Sequence, residues 1–261
     1  MKVNPELISS YKELPSGKKI YFASDFHLGI PNKEDSQKRE QKIVKWLEHV
    51  SKDASAIFLL GDVFDFWFEY ALVIPKGFIR FQGKLAELKD RGIPIHLFVG
   101  NHDLWMRDYF SEELDIPVHH HPIVLEVGDK KLFIGHGDGL GPGDRSFKIT
   151  KKIFTNLLCN WIFKWIHPDI GIALANYWSK KSRVAPEKEK FTSEDNECLL
   201  TFCKQVQKSS PHHYYIFGHR HLPLELPVDD NSTYFNLGEW ITQCNYLEFD
   251  GTQATLKVFE V

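Results

Sequence analysis

A chain of 261 residues, 43% hydrophobic and 26% charged, can bury one sizeable core, which excludes a disordered or fibrous protein. Its 32 basic and 35 acidic side chains give a net charge of -3, so no global basic field draws it to nucleic acid, and any basic surface must be local. Cys159, Cys198, Cys203 and Cys244 form no CxxC pair, and no charged-then-apolar leader follows Met1, so a cytosolic protein with reduced thiols is expected. The most apolar stretch, residues 157–166, is too short to cross a bilayer and carries Asn160 and Lys164.

In chain order, short β-branched or aromatic runs end abruptly in Gly, Asp, Asn or His. Ile20–Ala23, Ile57–Leu60, Ile95–Val99, Leu132–Ile134, Tyr214–Phe217 and Tyr234–Leu237 read as buried strands. Between the first of these, Ile43, Val44, Leu47 and Val50 mark one face of a helix over 37–52. Phe78, Phe81, Leu85 and Leu88 mark another over 77–91, with Gly92 as its cap. Alternating strands and helices predict an α/β layered fold. The tail differs: 233–237, 243–249 and 254–260 follow one another with only turns between, which predicts an antiparallel meander, a second sheet that closes a β-sandwich with helices outside.

The polar punctuation carries the chemistry. Asp25-Phe26-His27, Gly61-Asp62, Gly100-Asn101-His102-Asp103, Gly135-His136-Gly137-Asp138 and Gly218-His219-Arg220-His221 each follow a predicted strand, where open α/β sheets hold their ligands, so the five clusters are expected to form one site. In Asp-x-His and His-x-His, alternate side chains point the same way and can reach one ion. Imidazoles with carboxylates and an amide oxygen, and no thiolate, suit Mn, Fe, Zn or Co. Seven ligands exceed the need of one ion and suit two, bridged by a carboxylate, an arrangement for in-line attack at phosphorus.

In this order the residues resemble the signature of the calcineurin-like metallophosphoesterases, D-x-H, G-D, G-N-H-[ED], G-H, G-H-x-H, from Asp25 to His221. The resemblance implies a four-layer αββα sandwich with two divalent ions, manganese the first choice. Asp25, His27, Asp62 and His221 would hold one ion, and Asp62, Asn101, His136 and His219 the other, with Asp62 bridging. His102 would act on a phosphoryl oxygen or the leaving group, oriented by Asp103. Asp65 and Glu69 are close enough in sequence to support the ions. Phe64, Phe66, Trp67 and Phe68 read as core, His119-His120-His121 as a surface loop, and His212-His213 as the solvated start of a strand.

Spacing adds a clue about substrate. Successive motifs lie 37, 39 and 35 residues apart, but His136 and His219 are separated by 83. The surplus lies within one domain, 1–261, as an inserted helical lid over 139–190. Its Gly139–Arg183 stretch holds eight basic residues against Asp144 and Asp169, among many aromatic side chains. Such a hairpin suits an anionic lipid surface or caps an amphiphilic ligand; the plainer reading is a lid packed on the core with solvated lysines. The pattern resembles the UDP-2,3-diacylglucosamine pyrophosphatases of lipid A synthesis, in Ser24–Gly29, Gly61–Trp67 and Gly135–Asp138. One departure is His102, where the best-known members of that family carry Arg. That resemblance implies hydrolysis of a nucleotide-linked glycolipid to UMP and an acylated sugar phosphate at the cytosolic face of the inner membrane. Substrate contacts are expected at Lys148, Lys152, Trp161, Trp165, Ser179 and Arg183. The alternative is a soluble phosphatase or phosphodiesterase of the same superfamily.

Overall fold

A computed structural model describes residues 6–142, 148, 151, 152, 154, 156–174, 191 and 193–260. Two six-stranded sheets organise them. One runs β1 (Glu6–Tyr11), β6 (Ile123–Val127), β7 (Lys130–Ile134), β8 (Tyr214–Phe217), β10 (Ser232–Leu237), β9 (Pro223–Asp229). The other runs β12 (Ala254–Val258), β11 (Asn245–Phe249), β2 (Lys19–Ala23), β3 (Ala54–Leu60), β4 (Ile95–Phe98), β5 (Val118–His119).

Period-two alternation explains the layering, because successive strand residues face opposite sides. Ile20, Phe22, Ala56, Phe58 and Leu60 meet Leu125, Ile134, Ile216 and Phe235 between the sheets. Tyr21, Ala23, Ile57 and Leu59 face the other way and pack on Trp46, Leu47, Phe81 and Leu85 of α1 (Lys33–Val50) and α2 (Ile79–Asp90). Phe133, Tyr215 and Phe217 pack on Leu199, Leu200 and Phe202 of α5 (Cys198–Gln207). The result is the expected αββα sandwich. Strands buried on both faces need no polar side, which is why the runs are continuously apolar.

Helix ends obey local chemistry. The amphipathic stripe of α1 starts late because the first turn is capped and acidic: Asn32 accepts the Asp35 N–H at 3.0 Å, and Glu34 lies beside it. α2 cannot begin before Ile79, since Phe78 sits in the left-handed region at φ 57. It ends in a Schellman turn, with Gly92 at φ 78 donating to Lys89 and Ile93 donating to Leu88.

The tail departs from the expected meander. β10 pairs in parallel with β8 in the first sheet, whereas β11 pairs with β2 in the second, so the chain changes sheet between residues 237 and 245. Only β11 and β12 form the expected hairpin. Two histidine tracts differ as well. His119 belongs to the short edge strand β5 and lies ring to ring with His96, Nε2 to Nδ1 at 3.0 Å. His212 is buried against Phe133 and Tyr215 rather than solvated.

The helix α3 (Tyr109–Leu114) lies between β4 and β5, whereas between β7 and β8 come the short helix α4 (Leu157–Lys164), capped by Asn156, a helical stretch over 168–174, and α5. Phe163 of α4 packs on Phe68 and Trp105 with ring centroids 4.6 and 5.0 Å away. The Trp105 indole N–H donates to the Phe154 carbonyl at 2.7 Å. Among the described residues no helix is long and apolar enough to cross a membrane.

Candidate metal centre

Asp25 and His27 follow β2, Asp62 follows β3, Asn101 follows β4, His136 follows β7, and His219 and His221 follow β8. Both sheets thus deliver donors to one end of the sandwich. Five of the seven, Asp25, His27, Asp62, His219 and His221, have φ between 44 and 73, the left-handed region that non-glycine residues seldom enter. Such strain persists only where surrounding bonds enforce it, and it concentrates at functional sites.

Here the enforcing bonds are visible. Asp25 N–H donates to Gly61 O, His27 N–H to Asp62 O, and Trp240 N–H to Asp25 O. The Arg39 guanidinium is buried and donates to the carbonyls of Phe26, His27 and Ile30 at 3.2, 2.6 and 3.0 Å, clamping the turn that carries His27. Close approach accounts for two glycines: a Cβ on Gly61 would stand 2.8 Å from the Gly100 nitrogen, and one on Gly100 would strike the Asp62 carboxylate.

The donors converge on one another. Asp25, His27, Asp62 and His221 bring one ligand atom each within 4.8 Å of the others. His27 Nε2 and His221 Nε2 face each other at 3.1 Å. Asn101 Oδ1 lies 3.2 Å from His136 Nε2 and 2.8 Å from His219 Nδ1. Asp62 Oδ2 lies between the two groups, 3.8 Å from His27 and 3.5 Å from His136. Both Asp25 Oδ1 and Asp62 Oδ2 are buried yet accept no hydrogen bond. An orphaned buried carboxylate oxygen is costly unless a cation compensates it, so this donor set fits divalent metal ions.

Electrostatics agree with that fit. Burial would raise both carboxyls, but His221 and His136 hold Asp25 below its usual range, and His136, His102 and His27 hold Asp62 well below it. Burial pushes His27 and His219 down to about 4, so their rings are neutral donors. His136 goes the other way: burial opposes its charge, but Asp62 and Asp25 raise it to about 10. The same carboxylates that favour a proton there favour a metal cation. His136 Nδ1 donates to Leu60 O at 2.7 Å, which leaves Nε2 as the ligating atom.

His102 lies beside this group, its ring edge-on to His27 at 4.9 Å. Its backbone N–H donates to Asp62 Oδ1 at 2.8 Å. Asp103 does not orient it. The Asp103 carboxylate accepts the backbone N–H groups of Gly100, Asp62, Val63 and Phe64, fastening the second motif to the third, and burial with the nearby Asp62 pushes its pKa up to about 7. Asp65 takes the orienting place instead: His102 Nδ1 lies 3.1 Å from its carbonyl and 3.5 Å from its carboxylate, which also lies 3.5 Å from His27 Nδ1. Glu69 holds Trp67 and the Asp108–Tyr109 turn rather than the donors. Arg39 escaped the motif reading; its signal was a charge on the apolar stripe of α1, four residues before Ile43.

A cavity of about 800 Å³ is lined by Asp65, whose carboxylate meets His27 and His102. Leu28, Asp65 and Phe66 form its wall nearest the histidines, Val73, Ile74 and Phe78 one side, and Pro168, Ile172 and Ala173 of the helical stretch the other. Trp161 and Trp165 do not line it and stand 58% and 76% exposed. Lys148 donates to Gly141 O, Lys152 is exposed, and Ser179 and Arg183 lie outside the described residues.

A family model for calcineurin-like phosphoesterases matches residues 18–223. The chain is 39% identical over 256 residues to the UDP-2,3-diacylglucosamine hydrolase of Porphyromonas gingivalis, covering 93% of this chain and 98% of that one. It is 26% identical over 238 residues to the protein of that name from Vibrio parahaemolyticus, covering 87% and 92%. Among solved structures, the phosphoesterase Yfce from E. coli aligns over 89% of this chain and 88% of its own, with a TM-score of 0.41 at 14% identity. Matched over a span that takes in all seven converging donors, the chain belongs to the calcineurin-like phosphoesterase family.

Proposed function

We propose that this hydrolase cleaves the pyrophosphate of UDP-2,3-diacylglucosamine, releasing UMP and 2,3-diacylglucosamine 1-phosphate. The observation that carries the reading is a largely apolar cavity sharing Asp65 with the group around His27 and His102, so one amphiphilic ligand can span both. The relative from Porphyromonas gingivalis, similar along almost its whole length, bears the name of that activity.

Asp25, His27, Asp62 and His221 would hold one divalent ion and Asp62, Asn101, His136 and His219 the second, manganese by preference. Two such ions, when bound, would lower the pKa of a bound water toward ~7 and offset phosphoryl charge. Asp62, with one oxygen fixed by the His102 N–H, offers the other to both sides. With Nδ1 of His102 held by Asp65, its Nε2 is the atom left for a phosphoryl oxygen or the leaving group. Asp103 acts at one remove, by keeping Asp62 and His102 in register. The cavity receives acyl chain. Exposed Trp161 and Trp165, with Lys164 between them, rest on the cytosolic face of an anionic membrane, and the segment 139–190 serves as the lid.

The test compares kcat/KM for UDP-2,3-diacylglucosamine with that for the same sugar nucleotide without acyl chains. Burying even a few methylenes, at ~0.8 kcal/mol each, predicts a preference of roughly 100-fold or more for the acylated substrate. Equal efficiencies would transfer the lead to a soluble phosphodiesterase with a structural lid.

A further inference from the structure

Opposite the helical stretch, the segment from Ala71 to Ile79 forms the other lip of the cavity. Leu72 is 96% exposed, Ile79 78% and Val73 51%, with no acidic residue from Ala71 to Arg80 and basic Lys76 and Arg80 in the same run. In and before the helical stretch, Ile170 is 63% exposed and Trp165 76%. The two lips touch at their base, where a Cβ on Gly171 would come within 2.8 Å of the Tyr70 hydroxyl. Val73, Ile74 and Ile79 from one segment and Ile172 from the other line the cavity together with Asp65.

We propose that the 71–79 segment is a second membrane-docking element, inserting Leu72 into an anionic bilayer beside the lid so that the cavity mouth opens onto lipid. The proposal rests on the glycolipid reading for the contents of the cavity. Three arguments select a bilayer as the occupant. An apolar tip followed in the same segment by Lys76 and Arg80 matches the layered character of an anionic lipid surface. Continuity is the second: Val73, Ile74 and Ile79 of the same segment line the cavity, whose lining also includes Asp65 beside His27. Third, Leu72 contributes almost nothing to the folded core at its exposure, so its apolar character is stabilised only by an apolar partner. With both lips in the bilayer, acyl chains pass from membrane to cavity without crossing water.

Flotation with vesicles of phosphatidylethanolamine and phosphatidylglycerol tests this on the full chain. Leu72→Glu should weaken partition by about tenfold or more, since a carboxylate replaces the inserted tip, and Leu72→Trp should match or exceed the parent protein. Lys76→Glu should lower partition about threefold or more, with the difference vanishing in high salt. Leu72 neither lines the cavity nor touches the donors, so turnover of bis(p-nitrophenyl) phosphate by both Leu72 variants should equal that of the parent, which also shows that they are folded. Partition unchanged by Leu72→Glu while Trp165→Ser abolishes it would overturn the proposal in favour of docking by the lid alone. A parent protein that hydrolyses the glycolipid in detergent but never floats with vesicles would overturn it too, leaving the substrate reading intact. Absence of glycolipid hydrolysis in detergent, with the soluble diester still cleaved, would remove the substrate reading and this proposal with it.

Discussion

The metal end and the cavity mouth are built on opposite principles. Around the donors, backbone strain at five residues is held by a dense set of short bonds, and almost every polar atom that does not face the centre is satisfied. In the 71–79 segment and from α4 through the helical stretch, Leu72, Ile79, Trp161, Trp165 and Ile170 stand exposed, and aromatic packing such as Phe163 on Phe68 anchors the helical segment. Chemistry at phosphorus demands fixed geometry, whereas an acyl chain demands only apolar area. Rigid positioning therefore belongs to the strand ends and adaptability to the rim.

Substitutions can break this contrast. The largest effect should come from Asp62→Asn. Because Asp62 faces both donor groups, the variant should lose affinity for both ions by more than the ~10- to 100-fold typical of a supporting residue, read as metal content after dialysis. Two ions retained per chain would contradict a bridge. His102→Ala should lower kcat by roughly 100-fold while metal content stays unchanged, and His102→Arg should retain more activity than Ala. Loss of metal in His102→Ala would make it a ligand.

Arg39→Met sharpens the comparison from within the rigid end. Removing three hydrogen bonds from the His27 turn should weaken the first ion about 10-fold by metal titration, with little change at the second. Equal weakening at both would mean that Arg39 supports the fold generally. The smallest effect concerns acid stability at the far edge of the sandwich. Burial with the nearby Lys89 lowers His96 to about 4, and burial with His96 and His120 lowers His119 likewise. The unfolded chain takes up protons there from the ordinary 6.5 downward and the folded one does not until about 4, so stability falls as pH drops through that window. His96→Gln should flatten the change in urea midpoint between pH 7 and pH 5; an unchanged slope would show that these rings do not control it.

Much of this was legible in the sequence for a physical reason. Metal donors must follow strand ends in fixed order, so Asp25 to His221 announce themselves, and period-two apolar runs give the strands of both faces. What stayed hidden depends on long-range pairing. β10 and β11 look alike locally, and only the completed sandwich assigns them to different sheets. Asp103 and Asp65 are both acidic neighbours of His102 in the site; which one meets its ring depends on where the backbone N–H groups of residues 62–64 point. Arg39 binds carbonyls, which leave no mark in a motif. The 71–79 lip reads as an ordinary apolar loop until its exposure is known.

Hydrolysis of UDP-2,3-diacylglucosamine in ¹⁸O-enriched water by the manganese-loaded protein tests the central claim most directly. If water attacks the nucleotide-side phosphorus, mass spectrometry should find one ¹⁸O in UMP and none in the acylated sugar phosphate. Label in the sugar phosphate, or no UMP at all while soluble diesters are cleaved, would contradict the account.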